Sequence, residues 1–175
     1  KDVLEWEASR DKQRKWLKKA GLLQPIIFKK PEDIDRSVIV KFYGAEGGKG
    51  YFVANSAKDF YKKIKAHPDK RYIIQEYIIG VPVYNHYFQS PIYNRLEIMG
   101  FDKRYESNVD SLGRISARDQ IALKSVDPSY VITGNIPLVI RESYLNEVFE
   151  IGEKIVKASG KLVNRALFGP FCAET

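Results

Sequence analysis

The sequence has few of the residues that form covalent or metal cross-links. It contains one cysteine, Cys172, and two histidines, His67 and His86, among 175 residues. A single cysteine excludes an internal disulfide and is typical of the reducing cytoplasm, so we expect a cytoplasmic protein. One cysteine and two histidines are also too few ligands for a structural zinc site of the usual kind.

Long apolar runs are missing as well. No stretch of about 18 apolar residues occurs, so the sequence predicts no transmembrane helix and no membrane partner. Hydrophobic residues make up 44% of the chain, which is the share found in ordinary globular proteins. The length suits one domain, or one domain with part of another.

Acidic residues do not balance the basic ones, and the formal net charge is +7. Such an excess suits an anionic partner, either a nucleic acid or a nucleotide. Much of it lies on a predicted helix from Ser9 to Ala20, which has Ser9 as its N-cap and Gly21 after its last turn. We interpret this charge as a solvated helix face; an RNA-binding helix is the alternative. The basic residues are Arg10, Lys12, Arg14, Lys15, Lys18 and Lys19.

A strand, a glycine-rich loop and a second strand follow one another between Val38 and Val53. Glycines permit a positive φ and a close approach of the backbone to a ligand. Successive N–H groups in such a loop can form a concave anion site, and Lys41 and Lys49 flank it. The pattern therefore predicts a hairpin that covers phosphates, with a plain glycine hairpin and solvated lysines as the alternative. It is not a P-loop, because Gly50 follows Lys49 where serine or threonine is required.

Polar residues interrupt several predicted strands. Gln75 and Glu76 lie within an apolar strand, which suggests that the strand opens onto a cleft and that Glu76 faces solvent or has a polar partner. Asn135 follows a glycine inside another apolar strand, a pattern typical of a bulge or of ligand approach. His86 is interpreted as a histidine satisfied in the core or in a cleft. The polar run 103–108 is predicted to be a loop that follows a strand.

The remaining signals complete an α+β fold with antiparallel pairing. Ser143 is predicted to cap the longest helix, and a strand is predicted from Gly169 onward. Helices and strands alternate irregularly, and the strands from 83 to 101 form a hairpin through a turn at 90–94. This order is typical of α+β proteins.

This order of elements resembles the ATP-grasp superfamily. Lys41 with the glycine hairpin is similar to its phosphate-covering flap, and the segment from Ile74 to Gly80 is similar to its hinge strand. More narrowly, the chain resembles the archaeal formate-dependent synthetases that formylate aminoimidazole carboxamide ribotide (AICAR). The matching runs are 10–15, 86–91, 104–108, 128–131, 134–137, 141–143 and 169–172.

The resemblance implies an ATP-grasp nucleotide-binding domain with mixed or antiparallel sheets and a ligase reaction of purine (IMP) biosynthesis. ATP, formate and AICAR would give the formamido ribotide FAICAR, ADP and phosphate through formyl phosphate. ATP and Mg²⁺ or Mn²⁺ are the implied cofactors. We expect a homo-oligomer that acts on small molecules and does not bind nucleic acid.

The same resemblance implies roles for individual residues. Lys41 would hold the α- and β-phosphates, with Arg104 as a charge clamp, and these two are the expected catalytic residues. Glu106 would contact ATP, Asn135 would hydrogen-bond the AICAR carboxamide, and Glu174 would ligate Mg²⁺. The flap residues Gly47, Gly48 and Lys49 would cover the β- and γ-phosphates, and Gln75, Tyr77 and Ile78 would frame the adenine.

Two flap residues depart from the pattern of these synthetases. Glu46 lies where a basic residue is expected, and Tyr43 lies where proline is common. A divergent ATP-grasp ligase with another acid or amine substrate therefore remains an alternative. We also expect residues 1–175 to be a partial ATP-grasp domain, with the amino-terminal ribotide domain and the second metal carboxylate outside this sequence.

Overall fold

A computed structural model describes residues 2–44, 50–106, 109–123 and 131–175. The chain divides into two compact units. The terminal unit comprises Lys1–Gln24, Val81–Lys103 and Asn135–Thr175, and the central unit comprises Pro25–Gly80 and Arg104–Gly134.

Helices and strands alternate along the described ranges. The helices are α1 (Asp2–Ala8), α2 (Arg10–Lys19), α3 (Ala57–Ile64), α4 (Val109–Leu112), α5 (Ala117–Ala122) and α6 (Leu145–Ser159). The strands are β1 (Ile27–Phe28), β2 (Val38–Phe42), β3 (Tyr51–Ala54), β4 (Tyr72–Glu76), β5 (Tyr84–Gln89), β6 (Leu96–Glu106), β7 (Ile132–Pro137) and β8 (Gly169–Glu174). None of these helices is long and apolar enough to cross a membrane.

The central unit contains an antiparallel sheet with the strand order β1-β4-β2-β3. Side chains alternate between the two faces of a strand, so Val38 and Val40 are buried with Ile74 of the neighbouring strand. Phe60 of α3 and Ala54 complete this core. Helix α3 therefore covers one face of the sheet.

The terminal unit is built on a sheet with the order β7-β6-β5-β8, in which β5 pairs antiparallel with both β6 and β8. Helix α6 packs on one face through Val148, which lies in a buried cluster with Tyr87 and Leu96. The Tyr87 hydroxyl donates a hydrogen bond to the Val148 carbonyl at 2.8 Å, and burial raises the pKa of this phenol. Helix α2 attaches through Trp16, whose Nε1–H donates to the Ile155 carbonyl at 3.0 Å.

Most predicted elements are confirmed. The Ser9 cap of α2 accepts a hydrogen bond from the Lys12 N–H, and Gly21 follows with φ +72°. Helix α1 was not predicted. The predicted Ser143 cap is wrong, because residues 142–144 form a 3₁₀ turn that leads into α6 from Tyr144.

The loop predicted at 103–108 is also wrong over its described part, since β6 continues to Glu106. Residues 107–108 lie outside the described ranges. The many polar residues of this stretch favoured the prediction of a loop, but pairing in the sheet holds its backbone as a strand.

Candidate functional site

Two predicted nucleotide-binding residues share one face of the central sheet. Ile39 pairs with Gln75, and Lys41 pairs with Ile73 on the same neighbouring strand. These positions alternate with the buried residues Val38, Val40 and Ile74, so they lie on the side opposite α3. We call Ile39, Lys41, Ile73 and Gln75 the open face of the central sheet. It brings together the cation of Lys41 and the side-chain amide of Gln75.

The predicted adenine contacts lie at the end of β4. Gln75 lies within the strand, Tyr77 follows it, and the Tyr77 N–H donates to the Ser37 carbonyl at 3.0 Å. Ile78 is 62% exposed. An exposed aliphatic residue beside the polar end of a strand is suited to contact the flat face of a ligand while backbone groups meet its edge.

Glu76 has partners within its own unit. Its carboxylate accepts a hydrogen bond from the Ile26 N–H at 3.1 Å and another from the Arg36 guanidinium at 3.0 Å. The Ile26 N–H first, and then Arg36, lower the pKa of the Glu76 carboxyl. The sequence leaves solvent or a polar partner open for Glu76; the structure gives it polar partners of its own unit, which fix the entry to β1 against the end of β4.

The predicted flap emerges from a regular hairpin. Strands β2 and β3 pair antiparallel, and the Phe42 N–H donates to the Gly50 carbonyl at 2.9 Å. The rings of Phe42 and Phe52 lie 5.9 Å apart at its base. The two predicted strands are thus confirmed, while the loop residues Glu46, Gly47, Gly48 and Lys49 lie outside the described residues.

Arg104 and Glu106 lie near the end of β6 in the central unit. They lie two positions apart along a strand, so they project from the same face, and both are half-buried. Tyr105 between them accepts a hydrogen bond at its carbonyl from the Thr133 hydroxyl at 3.1 Å, which joins β6 to β7. The roles expected for Arg104 and Glu106 stay predictions.

The terminal unit contains an open cleft of about 640 Å³. Asn135, the predicted carboxamide ligand, contributes to its wall together with Pro137 of the same strand. The other strands contribute His86, Asp102 and Cys172, and Met99 and Phe101 add apolar surface. The cleft thus combines apolar walls with a few polar groups, which is the usual composition of a small-molecule site.

A contact between a histidine and a carboxylate lies in the wall of this cleft. His86 Nε2 is 2.7 Å from Asp102 Oδ2, and the Asp102 side chain is 14% exposed. Asp102 was not predicted as a site residue. A bulge between β5 and β6 explains why: His86 pairs with Gly100, but Tyr87 pairs with Ile98, so Met99 is an extra residue.

The bulge moves Asp102 to the face that carries His86. Without it, strict alternation would put Asp102 on the side of the sheet that faces α6. Gly100, whose φ is +156°, is the signal in the sequence that could have indicated the bulge, since glycine inside a strand often marks one.

The predicted metal ligand lies at the end of β8. Glu174 is exposed and pairs with Tyr84. Within the described ranges no group of three or more histidine, cysteine or acidic residues is arranged to hold a metal ion. A single carboxylate nevertheless fits Mg²⁺, which proteins usually hold with one or two carboxylates together with substrate phosphates.

The basic residues of α2 interact partly with their own chain. Lys12 contacts Glu5 of α1, and the Lys19 ammonium donates to the Lys161 carbonyl at 3.2 Å. The opposite side of the helix carries the buried Trp16. These contacts favour the solvated helix face over the RNA-binding alternative.

Comparison with known proteins gives a family and close relatives. The family described as "Domain of unknown function (DUF1297)" matches residues 55–175. The chain is 53% identical over 181 residues to the 5-formaminoimidazole-4-carboxamide-1-(beta)-D-ribofuranosyl 5'-monophosphate synthetase of Pyrococcus horikoshii. This alignment covers 99% of the chain and 54% of the relative. The chain therefore spans about half the length of the curated relatives it matches.

Solved structures share the fold. An IMP biosynthesis protein from Thermococcus kodakaraensis matches with a TM-score of 0.68 and 25% identity, over 98% of this chain and 50% of that one. The N5-carboxyaminoimidazole synthetase of Staphylococcus aureus, solved with ADP, matches with a TM-score of 0.65 and 19% identity, over 99% of this chain and 42% of that one. These similarities confirm the predicted α+β fold of the ATP-grasp type.

Proposed function

The chain belongs to the family described as a domain of unknown function (DUF1297), and we propose that this member is part of an ATP-dependent ligase that formylates AICAR with formate. The observation that carries the proposal is 53% identity, over nearly the whole chain, to a relative named as the synthetase of the formylated product. The ATP-grasp fold supports a nucleotide-dependent reaction, because the neighbouring synthetase was solved with ADP.

The open face of the central sheet is the proposed nucleotide site. Lys41 supplies positive charge for the phosphates, and Gln75 is a hydrogen-bonding group for the adenine edge on the same face. Tyr77 and the exposed Ile78 extend this site beyond the strand. Phosphoryl transfer depends mainly on positioning and on neutralisation of charge, which are the tasks proposed for Lys41 and Arg104.

The remaining residues complete the proposed assignment. Glu106 contacts ATP, the flap residues Gly47, Gly48 and Lys49 cover the β- and γ-phosphates, and Asn135 binds the AICAR carboxamide. Glu174 holds Mg²⁺ or Mn²⁺, and the ion, when bound, neutralises phosphate charge. We further propose that the chain is one part of the ATP-grasp domain, and that other parts of the protein supply the rest of the ribotide site and a second metal carboxylate.

The proposed reaction has two steps. A formate oxygen attacks the γ-phosphorus of ATP, which releases ADP and gives formyl phosphate. The AICAR amine then attacks the formyl carbon, the bond from that carbon to the phosphate oxygen breaks, and phosphate leaves. The product is the formamido ribotide.

The test is the substrate dependence of ADP release by the intact protein, with FAICAR measured in parallel. The proposal predicts that FAICAR forms only when ATP, formate and AICAR are all present, and that the ADP released with AICAR present equals the FAICAR formed. ADP release that ignores both compounds would refute it. Activity with another carboxylic acid or amine in place of these two would instead favour the divergent ligase that the flap residues Tyr43 and Glu46 leave open.

A further inference from the structure

One histidine of this chain has the surroundings of a proton acceptor. His86 lines the cleft of the terminal unit together with Asn135, and its imidazole is held by Asp102 at 2.7 Å. The His86 side chain is 40% exposed, whereas that of Asp102 is 14% exposed. One edge of the ring is therefore anchored at a shielded carboxylate while the ring remains accessible from the cleft.

The contact with Asp102 fixes which ring nitrogen can take a proton. A carboxylate can only accept hydrogen bonds, so Nε2 carries the hydrogen in the neutral ring and Nδ1 has the free electron pair. A hydrogen bond to one nitrogen sets the tautomer and the orientation of the ring in this way in many sites. The basic atom of His86 is therefore Nδ1.

Asp102 can also stabilise the ring after it has taken a proton. Its other oxygen, Oδ1, is buried and has no hydrogen-bond partner within the described part of the chain. A buried carboxylate with so few partners is costly. The positive imidazolium at 2.7 Å compensates that charge, as it does in other histidine–carboxylate pairs.

We propose that His86, positioned by Asp102, accepts the proton that the AICAR amine loses when it is formylated. This inference rests on the proposed function and on the role of Asn135 in the same cleft. The amine nitrogen bonds to the formyl carbon, the bond to the phosphate oxygen breaks, and phosphate leaves with that electron pair. The proton on nitrogen moves to His86 Nδ1 and then passes to phosphate or water, which restores the neutral ring.

The other ionisable groups near His86 belong to neighbouring strands. Cys172 of β8 pairs directly with His86, and Glu174 lies two residues further along the same face. Tyr84 of β5 is on that face as well, opposite Asp102. Asn135 of β7 does not titrate. Asp102 contacts the imidazole at hydrogen-bond distance.

The experiment separates amine transfer from the formation of formyl phosphate. The intact protein with H86Q is assayed with ATP and formate, once with AICAR and once with hydroxylamine, a strong nucleophile that traps the acyl phosphate as a hydroxamate. H67Q serves as the matched control, because His67 is the chain's other histidine and its ring contacts Phe42 at 4.7 Å in the central unit.

The expected loss is specific to one step. H86Q should lower the rate of FAICAR formation by about 10² to 10⁴, the usual contribution of a positioned acid or base, while hydroxamate formation stays unchanged. D102N should lower the amine-transfer rate as well, because the amide no longer fixes the tautomer.

Each other outcome has a distinct meaning. If the wild type makes FAICAR and H86Q makes it at the same rate, the inference is wrong and the proposed function stands. If H86Q loses hydroxamate formation too, His86 acts before amine transfer, and the inference is also wrong. If the wild type forms hydroxamate but no FAICAR, it is the proposed function that fails, and the inference fails with it.

Discussion

At the scale of single residues, Glu76 shows how the hydrogen-bond partners of a side chain decide what it does in the fold. The sequence offers a buried carboxylate that needs either solvent or a polar ligand. Within the central unit, the Ile26 N–H and the Arg36 guanidinium donate hydrogen bonds to this carboxylate. Gln75 on the preceding position points to the open face instead. Adjacent polar residues of one strand thus have different surroundings because they lie on opposite faces.

Glu76 predicts a pH dependence of stability. Its partners lower the pKa of the carboxyl in the folded state, below the value of about 4.3 in the unfolded chain. Its stabilisation is therefore fully present above that value and is lost as the pH falls through the lower, folded-state pKa. Urea unfolding of wild type and E76Q should show a wild-type advantage at pH 7 that shrinks in acid. E153Q, on the exposed side of α6, is the control, and an advantage that does not change with pH would contradict the assignment.

Lys41 predicts an effect on nucleotide affinity. A hydrogen bond to a charged group contributes about 1.5–3 kcal/mol, so K41Q should weaken ATP binding about 10- to 100-fold. Isothermal titration calorimetry measures this directly. K58Q is the matched control, since Lys58 is exposed on α3, the helix that covers the other face of the same sheet. Equal loss in both variants would show that general charge, rather than the position of Lys41, decides affinity.

At the scale of elements, the bulge in β6 controls which side chains reach the cleft. Gly100 has φ +156°, a conformation that residues with a side chain rarely adopt. G100A should therefore destabilise the fold by about 1–3 kcal/mol. Chemical denaturation measures this, with G134A in the neighbouring β7 as the control, because Gly134 has no positive φ and open space at its Cβ position. Equal stabilities would mean that the bulge tolerates a side chain.

Helix α6 approaches its sheet closely at Gly152. A Cβ at this position would lie 2.7 Å from the Tyr87 ring and 2.7 Å from Leu96. The Tyr87 ring cannot move away easily, because it is buried and its hydroxyl is hydrogen-bonded to the Val148 carbonyl. G152A should destabilise the protein by about 1–3 kcal/mol through overpacking. G160A, whose Cβ would meet Ala166 at 3.4 Å, should have a smaller effect on the thermal midpoint; the reverse order would contradict this packing.

Elements with a strong local signal could be predicted from the sequence. Ser9 caps α2 as expected, and the predicted strands between Val38 and Val53 and from 83 to 101 correspond to β2, β3, β5 and β6. Strand register could not be predicted, because it depends on pairing between distant segments. The pairing of Ile39 with Gln75 and the His86–Asp102 contact both follow from register. Residues could therefore be proposed for the site, while their neighbours in space could not.

At the scale of the whole molecule, two units carry different parts of the proposed reaction. The central unit holds the residues proposed to bind ATP, and the terminal unit holds the cleft proposed to bind the amine. Identity of 53% to a named synthetase spans both units. The Tyr43 and Glu46 departures concern the flap, so they bear on the phosphate end of the reaction rather than on the amine cleft.

The most direct measurement of the central claim follows the oxygen atoms of formate. The intact protein is incubated with ATP, AICAR and formate labelled with ¹⁸O, and the released phosphate is analysed by mass spectrometry. A reaction through formyl phosphate transfers one labelled oxygen from formate to phosphate for each FAICAR formed, because the bond between carbon and that oxygen breaks in the second step. Unlabelled phosphate alongside FAICAR would contradict the account.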